Sequence, residues 1–169
     1  MRIKIGKGHH YPWLIPIAFP FWVKRKESTI RKAKFMFTDS CMFDLKDEDQ
    51  WDVNKLFGFS IGHHHHTSFR FGWRPLLNEN LIGIVAYEYH DGERQKTIPF
   101  HKVKLNEWYE YTIIYKSNKQ QIHYLVSTGG FERHNLNIKR RWGLGYTLGI
   151  YFGGNEKAPQ DIIIYKKGL

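Results

Sequence analysis

The sequence predicts an all-β chain folded as an antiparallel β-sandwich, and three observations carry that expectation. Aromatic residues make up 17% of the 169 positions and β-branched residues recur between them, a composition suited to pleated, half-buried strands. Several short segments alternate apolar and polar side chains with a period of two, the pattern of a strand with one face turned inward. Runs of Ala, Leu, Glu and Lys at helical spacing are missing, and no segment reads as a helix of three turns. The length suits one domain with a two-layer core, and the lack of a repeating unit argues against a propeller or solenoid.

Residues 1–28 read as an extended N-terminal arm and residues 29–169 as a single sandwich domain. In the arm Pro12, Pro16 and Pro20 recur every fourth residue, which disfavours a helix. Trp13, Phe19, Phe21 and Trp22 give the arm apolar surface to pack on its own domain or on a neighbouring subunit. Arg2, Lys4 and Lys7 ahead of the apolar run imitate a signal peptide, but the prolines would break its core and no small-residue cleavage site follows. The run is also too short to cross a bilayer, so no signal peptide and no membrane partner are expected.

Beyond the arm, Lys32 to Phe37 reads as a strand and Asp39 to Asp52 as a polar connection. Asp44, Asp47, Glu48, Asp49 and Asp52 crowd that connection, yet their spacing fits no calcium-binding loop, and an ordinary solvated loop is expected. Strands follow at Leu56 to Ile61, Ser68 to Arg74 and Leu81 to His90, the last closed by an Asp91-Gly92 turn. Trp108 to Lys116 and Gln121 to Ser127 flank a polar turn and form the clearest hairpin. Tyr146 to Phe152 and Ile162 to Tyr165 make the final pair.

The formal charge of +10 is concentrated at Lys24-Arg25-Lys26, Arg31-Lys32-Lys34 and Lys139-Arg140-Arg141. Polyanions are the natural partners of such a surface: an acidic polysaccharide, a nucleic acid or an acidic protein. Cys41 is the only cysteine, which excludes an internal disulfide and suits a packing residue. No cofactor and no metal are expected.

Chemistry concentrates in Ser68-Phe69-Arg70-Phe71-Gly72-Trp73-Arg74. Phe69, Phe71 and Trp73 share one face, while Ser68, Arg70, Gly72 and Arg74 share the other. Two guanidiniums and a hydroxyl on one side of a strand suit an anionic partner held against a sheet. On the next strand Tyr87 and Tyr89 share a face, with Ile82, Ile84 and Ala86 on the opposite one, and Glu88 and His90 interrupt that apolar face near the strand's end. The run His63 to His66 reads as a polar loop, with His64 and His66 on one side as candidate substrate contacts. No carboxylate or cysteine nearby completes a metal set. His123 reads as a partly buried, hydrogen-bonded strand residue.

In order along the chain, Lys55-Leu56-Phe57-Gly58, Ser68-x-Arg70, Trp73-Arg74, Tyr87-x-Tyr89 and Phe152-Gly153-Gly154 resemble the alginate and glucuronan lyases, polysaccharide lyases with a concanavalin-type jelly roll. The resemblance spans residues 50–155 and implies a jelly-roll sandwich whose groove is lined by Lys55, Ser68, Arg70, Tyr87 and Tyr89 as catalytic residues. In β-elimination of a uronate, Arg70 with Arg74 would neutralise the carboxylate and Ser68 would orient the sugar. A tyrosine would act as base if Lys55 and Arg70 lowered its pKa. The short Lys55 to Ser68 interval, filled by the histidines, departs from the lyase pattern, as does the lack of an export signal.

Residues 44–74 and 151–159 are also similar to small proteins of tailed bacteriophages that infect Bacteroidetes, which implies a virion component, or a protein of the bacterial cytoplasm, made without a signal peptide. Three readings follow. The first is a non-enzymatic, lectin-like jelly roll that binds an acidic glycan, with neighbouring subunits held by the arm. The second is a polyuronate lyase, and the third a basic nucleic-acid-binding protein, for which no reader motif is present. Convergence of the five groove residues in an open cleft favours an enzyme, and a cleft filled by the arm or a subunit favours architecture.

Overall fold

The computed structural model describes residues 1–13 and 18–168 of the chain. Its strands are β1 (Arg2–Ile5), β2 (Pro20–Val23), β3 (Ser28–Phe37), β4 (Asn54–Ser60), β5 (Ser68–Leu76), β6 (Leu81–His90), β7 (Glu93–Arg94), β8 (Pro99–Val103), β9 (Tyr109–Lys116), β10 (Gln121–Val126), β11 (Gly130–Asn135), β12 (Gly143–Leu148) and β13 (Ile162–Lys167). Among the described residues the helical content is three short 3-10 turns. All paired strands run antiparallel, in two sheets: β1-β13-β3-β9-β10-β11, and β2-β12-β4-β5-β6-β7 with β8 also against β6.

The period-two pattern explains why these sheets face each other. From the first sheet Phe35, Phe37, Tyr111, Tyr115 and Tyr124 point inward, and from the second Phe59, Phe69, Phe71 and Trp73, all fully buried. They meet at ring separations that favour tilted and edge-on contact: Phe71 lies 5.2 Å from Tyr111 at 77°, and Phe37 lies 5.2 Å from Trp73 at 54°. Turns sit where the sequence supplies them. Asp91 and Gly92 both have positive φ (49° and 95°), the two-residue turn that matches strand twist.

The expected sandwich is therefore the observed one, with differences in detail. β1 and β2 come from the segment read as an arm, and each lies at the edge of a sheet: β1 pairs with β13 and β2 with β12. The stretch packs on its own domain along those residues, and β3 runs back to Ser28, across the boundary drawn there. Pro16 lies outside the described residues.

The segments expected as a final pair do not pair with each other. β12 joins β2 and β4, whereas β13 joins β1 and β3 in the opposite sheet, because the loop between them crosses the sandwich. β7, β8 and β11 escaped the sequence reading. Glu93-Arg94 is too short to alternate, Pro99 opens β8, and β11 carries charge on both faces.

Candidate functional site

The outer face of the second sheet builds the site, and register decides which side chains meet there. Ser68 of β5 lies opposite Tyr89 of β6, and Arg70 lies opposite Tyr87. On the other side of β5, Arg70 faces Gly58 and Ser68 faces Ser60 of β4. Glycine at 58 is required, since a Cβ there would fall 2.0 Å from the Phe69 carbonyl oxygen and 2.6 Å from the Arg70 Cα. The space it leaves is where the Arg70 side chain starts.

A bulge in β4 brings in the lysine. Lys55 pairs with Gly72 and Phe57 with Phe71, so one residue, Leu56, is extra. The slip lets Leu56 and Phe57 both enter the core while Lys55 stays on the outer face. There its ammonium donates to the Gly153 carbonyl at 2.5 Å and lies 4.8 Å from the Tyr87 ring centre and 5.3 Å from that of Tyr151. The Gly153 N–H in turn donates to Asn54 Oδ1 at 2.6 Å. Gly153 has φ of 62°, and a Cβ on it would lie 2.6 Å from the Glu156 carbonyl oxygen, so this motif position is held by backbone geometry. Burial foremost, then the Arg70 charge, push the Lys55 ammonium down to about 8.

Arg70 is 9% exposed, with one terminal nitrogen donating to the Gly149 carbonyl at 2.7 Å. Its Nε has no partner among the described residues. Burial lowers its pKa to about 10 against the opposing pull of four tyrosines, Tyr87, Tyr11, Tyr146 and Tyr151, so it stays cationic at neutral pH. A buried guanidinium held by a single carbonyl retains donor capacity for a carboxylate.

These side chains line a groove of about 490 Å³. Lys55, Ser68, Arg70, Tyr87, Tyr89 and His64 all border it. Arg94, Tyr11, His65, Tyr151 and Asn155 border it too, and among the described residues its wall contains no Asp or Glu. Exposed residues such as Arg94, His65 and Asn155 open it to solvent, while Tyr11, 55% exposed, brings the N-terminal segment to its rim.

Several expected roles need correction. Arg74 is not part of the groove wall: its two terminal nitrogens donate to the Trp51 and Thr97 carbonyls, each at 3.0 Å, so it ties loops together. His66 is not there either. The histidine run is a turn rather than an extended segment, with the His66 and Thr67 N–H groups donating to the His63 carbonyl, so it is His64 and His65 that reach the groove. His66 Nδ1 instead meets the Thr67 hydroxyl at 3.1 Å.

Nor is Tyr87 a lowered-pKa base. Burial foremost, then the hydrogen bond with Tyr89, push it up to about 12, and the nearby cation Arg94 does not outweigh them. His123 sits on the outer face of the first sheet against Phe131, and its Nε2 has no partner among the described residues. Glu88, which interrupts the apolar face of its strand, stays in the core, buried between His90 and His134.

Of the groove residues the sequence reading missed, Arg94 had a signal. A two-residue turn at Asp91-Gly92 fixes Arg94 opposite Tyr89, and that register is observed. Tyr151 lies in the segment read as the strand Tyr146 to Phe152, but it reaches the groove through an isolated antiparallel bridge to Lys55; Tyr11 had no signal.

No protein-family model matches the chain, and no curated protein matches it. Solved structures do. An alginate lyase from Pseudomonas aeruginosa aligns with a TM-score of 0.53 at 11% identity, over 86% of this chain and 66% of that one. A family 7 alginate lyase in complex with product aligns at 0.57 and 8% identity, over 86% and 62%. The chain thus spans a little under two-thirds of the length of these two. The alginate lyase AlyC3 aligns at 0.56 and 12% identity, over 98% of this chain and 86% of that one. The comparisons add nothing to the resemblance to bacteriophage proteins. At such identities the likeness is one of fold: the chain is a jelly-roll β-sandwich built like these polysaccharide lyases.

Proposed function

We propose that the groove binds an acidic polysaccharide of the polyuronate class. One observation carries this reading: a cleft walled by Lys55, Arg70 and Arg94 with no carboxylate among its lining residues, in which the buried Arg70 keeps an unpartnered Nε. A buried cation without a counter-charge is costly, and an anionic ligand offsets that cost. Tyr11, Tyr87, Tyr89 and Tyr151 supply the flat faces and hydroxyls that suit a sugar ring. The lyases that share the fold are named for acting on such a polymer.

A second reading, β-elimination, is favoured by the meeting of Ser68, Arg70, Tyr87 and Tyr89 through direct cross-strand register. Arg70 would neutralise the uronate carboxylate and so acidify the adjacent C–H. A base takes that proton, its electron pair forms the C=C bond, the C–O bond to the neighbouring sugar breaks, and the leaving oxygen takes a proton. Tyr87 is unsuited to be the base because burial stabilises its neutral form, which leaves Tyr89, beside the exposed Arg94.

The test is a panel of alginate, polyglucuronate, polygalacturonate and a neutral glucan, read by calorimetry and by the ultraviolet absorbance of unsaturated uronate. Binding of a polyuronate but not the neutral polymer is expected. Absorbance growing with time would assign the lyase reaction, and binding without it a lectin-like role. Binding to none of the three polyuronates would overturn both.

A further inference from the structure

Tyr146 of β12 brings one phenol oxygen to two groups of the same histidine. The His64 backbone N–H donates to it at 3.0 Å, and His64 Nδ1 lies 2.7 Å away from it. The Tyr146 O–H has no other acceptor among the described residues. The arrangement that satisfies every group has the phenol accepting from the backbone and donating its own proton to Nδ1. Nδ1 is then bare, and the ring's single proton sits on Nε2.

We propose that Tyr146 locks His64 as the neutral Nε2–H tautomer, so that the groove wall presents a fixed N–H donor to a sugar oxygen instead of a further cation to the carboxylate. The second half of this inference rests on the reading of the groove as a site for acidic glycan. The first half does not.

The surroundings of His64 point the same way. His63 and His65 flank it on the turn, with ring centres 4.8 and 4.3 Å away, and Arg70 faces it from β5. From β12 it meets the Tyr146 phenol, and Tyr89 of β6 stacks on the neighbouring His65. No carboxylate borders the groove to favour a charged imidazole. Burial foremost, then His65, His63 and Arg70, hold the His64 ring down to about 4. Lowering the pH to about 5 therefore adds no charge at this position, unlike an ordinary histidine with a pKa of about 6.5.

Nitrogen-15 NMR of the imidazole rings tests the lock without any glycan. His64 is expected as the Nε2–H tautomer, unchanged between about pH 5 and pH 8; in Tyr146→Phe, where nothing donates to Nδ1, the Nδ1–H tautomer should become populated while burial and the flanking His63, His65 and Arg70 keep the ring neutral. An Nδ1–H tautomer, or an ordinary midpoint in the wild-type protein, would overturn the lock. The donor role is read by calorimetry with an alginate oligosaccharide. His64→Ala should weaken binding about tenfold, and His64→Gln, which keeps an N–H donor, should recover much of the loss. If His64→Ala binds as the wild type does while Arg70→Ala does not, the donor role falls and the glycan reading stands. If the wild type binds no polyuronate, the glycan reading falls and the tautomer result still decides the lock.

Discussion

The two faces of β6 treat buried charge in opposite ways. On the inner face Glu88 is 1% exposed and fully answered: His90 Nε2 lies 2.6 Å from one of its oxygens and His134 Nδ1 lies 2.8 Å from the other. His134 also meets Glu132 at 3.0 Å, so the cluster ties β6 of one sheet to β11 of the other. On the outer face Tyr87 and Tyr89 stand beside Arg70 and Lys55, which are buried nearly as deeply but hydrogen-bond only to carbonyl oxygens, with Lys55 also over the Tyr87 and Tyr151 rings and neither in an ion pair among the described residues. One charge cluster is closed and holds the sheets together. The other is left incomplete, as a site for an anionic partner must be.

The largest effect separating the faces should come from Glu88. Glu88→Gln replaces the buried carboxylate held between His90 and His134 with a neutral amide, and we expect a loss of about 3 kcal/mol in unfolding free energy, measured by urea denaturation. Groove binding by whatever fraction stays folded should be unchanged. Next is Gly58→Ala, whose Cβ would strike the Phe69 carbonyl and the base of Arg70. A loss of about 2 kcal/mol is expected together with weaker polyuronate binding, since this position serves the fold and the site at once.

The inner cluster also predicts a pH dependence. The hydrogen bond that His134 donates to Glu88 foremost, together with the charge of Glu88 and the hydrogen bond to and charge of Glu132, raises His134 to about 9 against the opposing effect of burial. Its contribution is therefore complete below about pH 6.5, the unfolded-state value, and is lost as pH rises through 9. For Glu88, burial alone would raise the pKa, but the hydrogen bonds from His134 and His90 outweigh it and hold it low. Its contribution is present above the ordinary carboxylate range and fails in acid. Between pH 6.5 and pH 9.5 the wild-type melting temperature should fall by about 3 °C more than that of Glu88→Gln, as read by calorimetry. An equal fall in both would break the contrast between the faces.

The outer cluster predicts a pH dependence of binding, not stability. Lys55 loses its charge as pH rises through about 8, so affinity for an alginate oligosaccharide should drop several-fold between pH 7 and pH 9. Lys55→Met should bind weakly with that dependence removed. The smallest effect on binding is expected at Arg74. It shares a strand and a face with Arg70 but is pinned by two loop carbonyls, so Arg74→Met should lower stability and leave affinity within about twofold of wild type.

That last pair also shows how far the sequence could be read. Alternation placed Phe69, Phe71 and Trp73 in the core and Arg70 and Arg74 outside it, and both placements hold, because a strand's side chains have no other choice. What separates the two arginines is which backbone carbonyls reach them. Those come from Trp51 and Thr97, in segments with no periodic signal, and from Gly149, just past the end of a strand that was expected to run on to Phe152.

The same limit explains the histidines. Parity would put His64 with His66, but a turn does not keep strand parity, and it is His65 that joins His64 at the groove. Lys55 met the tyrosines through a bulge that alternation does not reveal, since Leu56 and Phe57 are consecutive core residues. Arg94 was legible: the Asp91-Gly92 turn already fixed its partner.

The central claim is that the outer face is an incomplete charge cluster waiting for a uronate. Calorimetric titration of one alginate oligosaccharide into the wild-type protein and into Arg70→Ala, at fixed low salt, tests it most directly. The account predicts saturable binding by the wild type and a loss on the order of 100-fold in the variant, with the melting temperature of Arg70→Ala equal to or above that of the wild type because a costly buried charge is gone. Equal affinity in the two proteins, or a variant that binds no worse but melts much earlier, would place Arg70 among the structural charges and contradict the account.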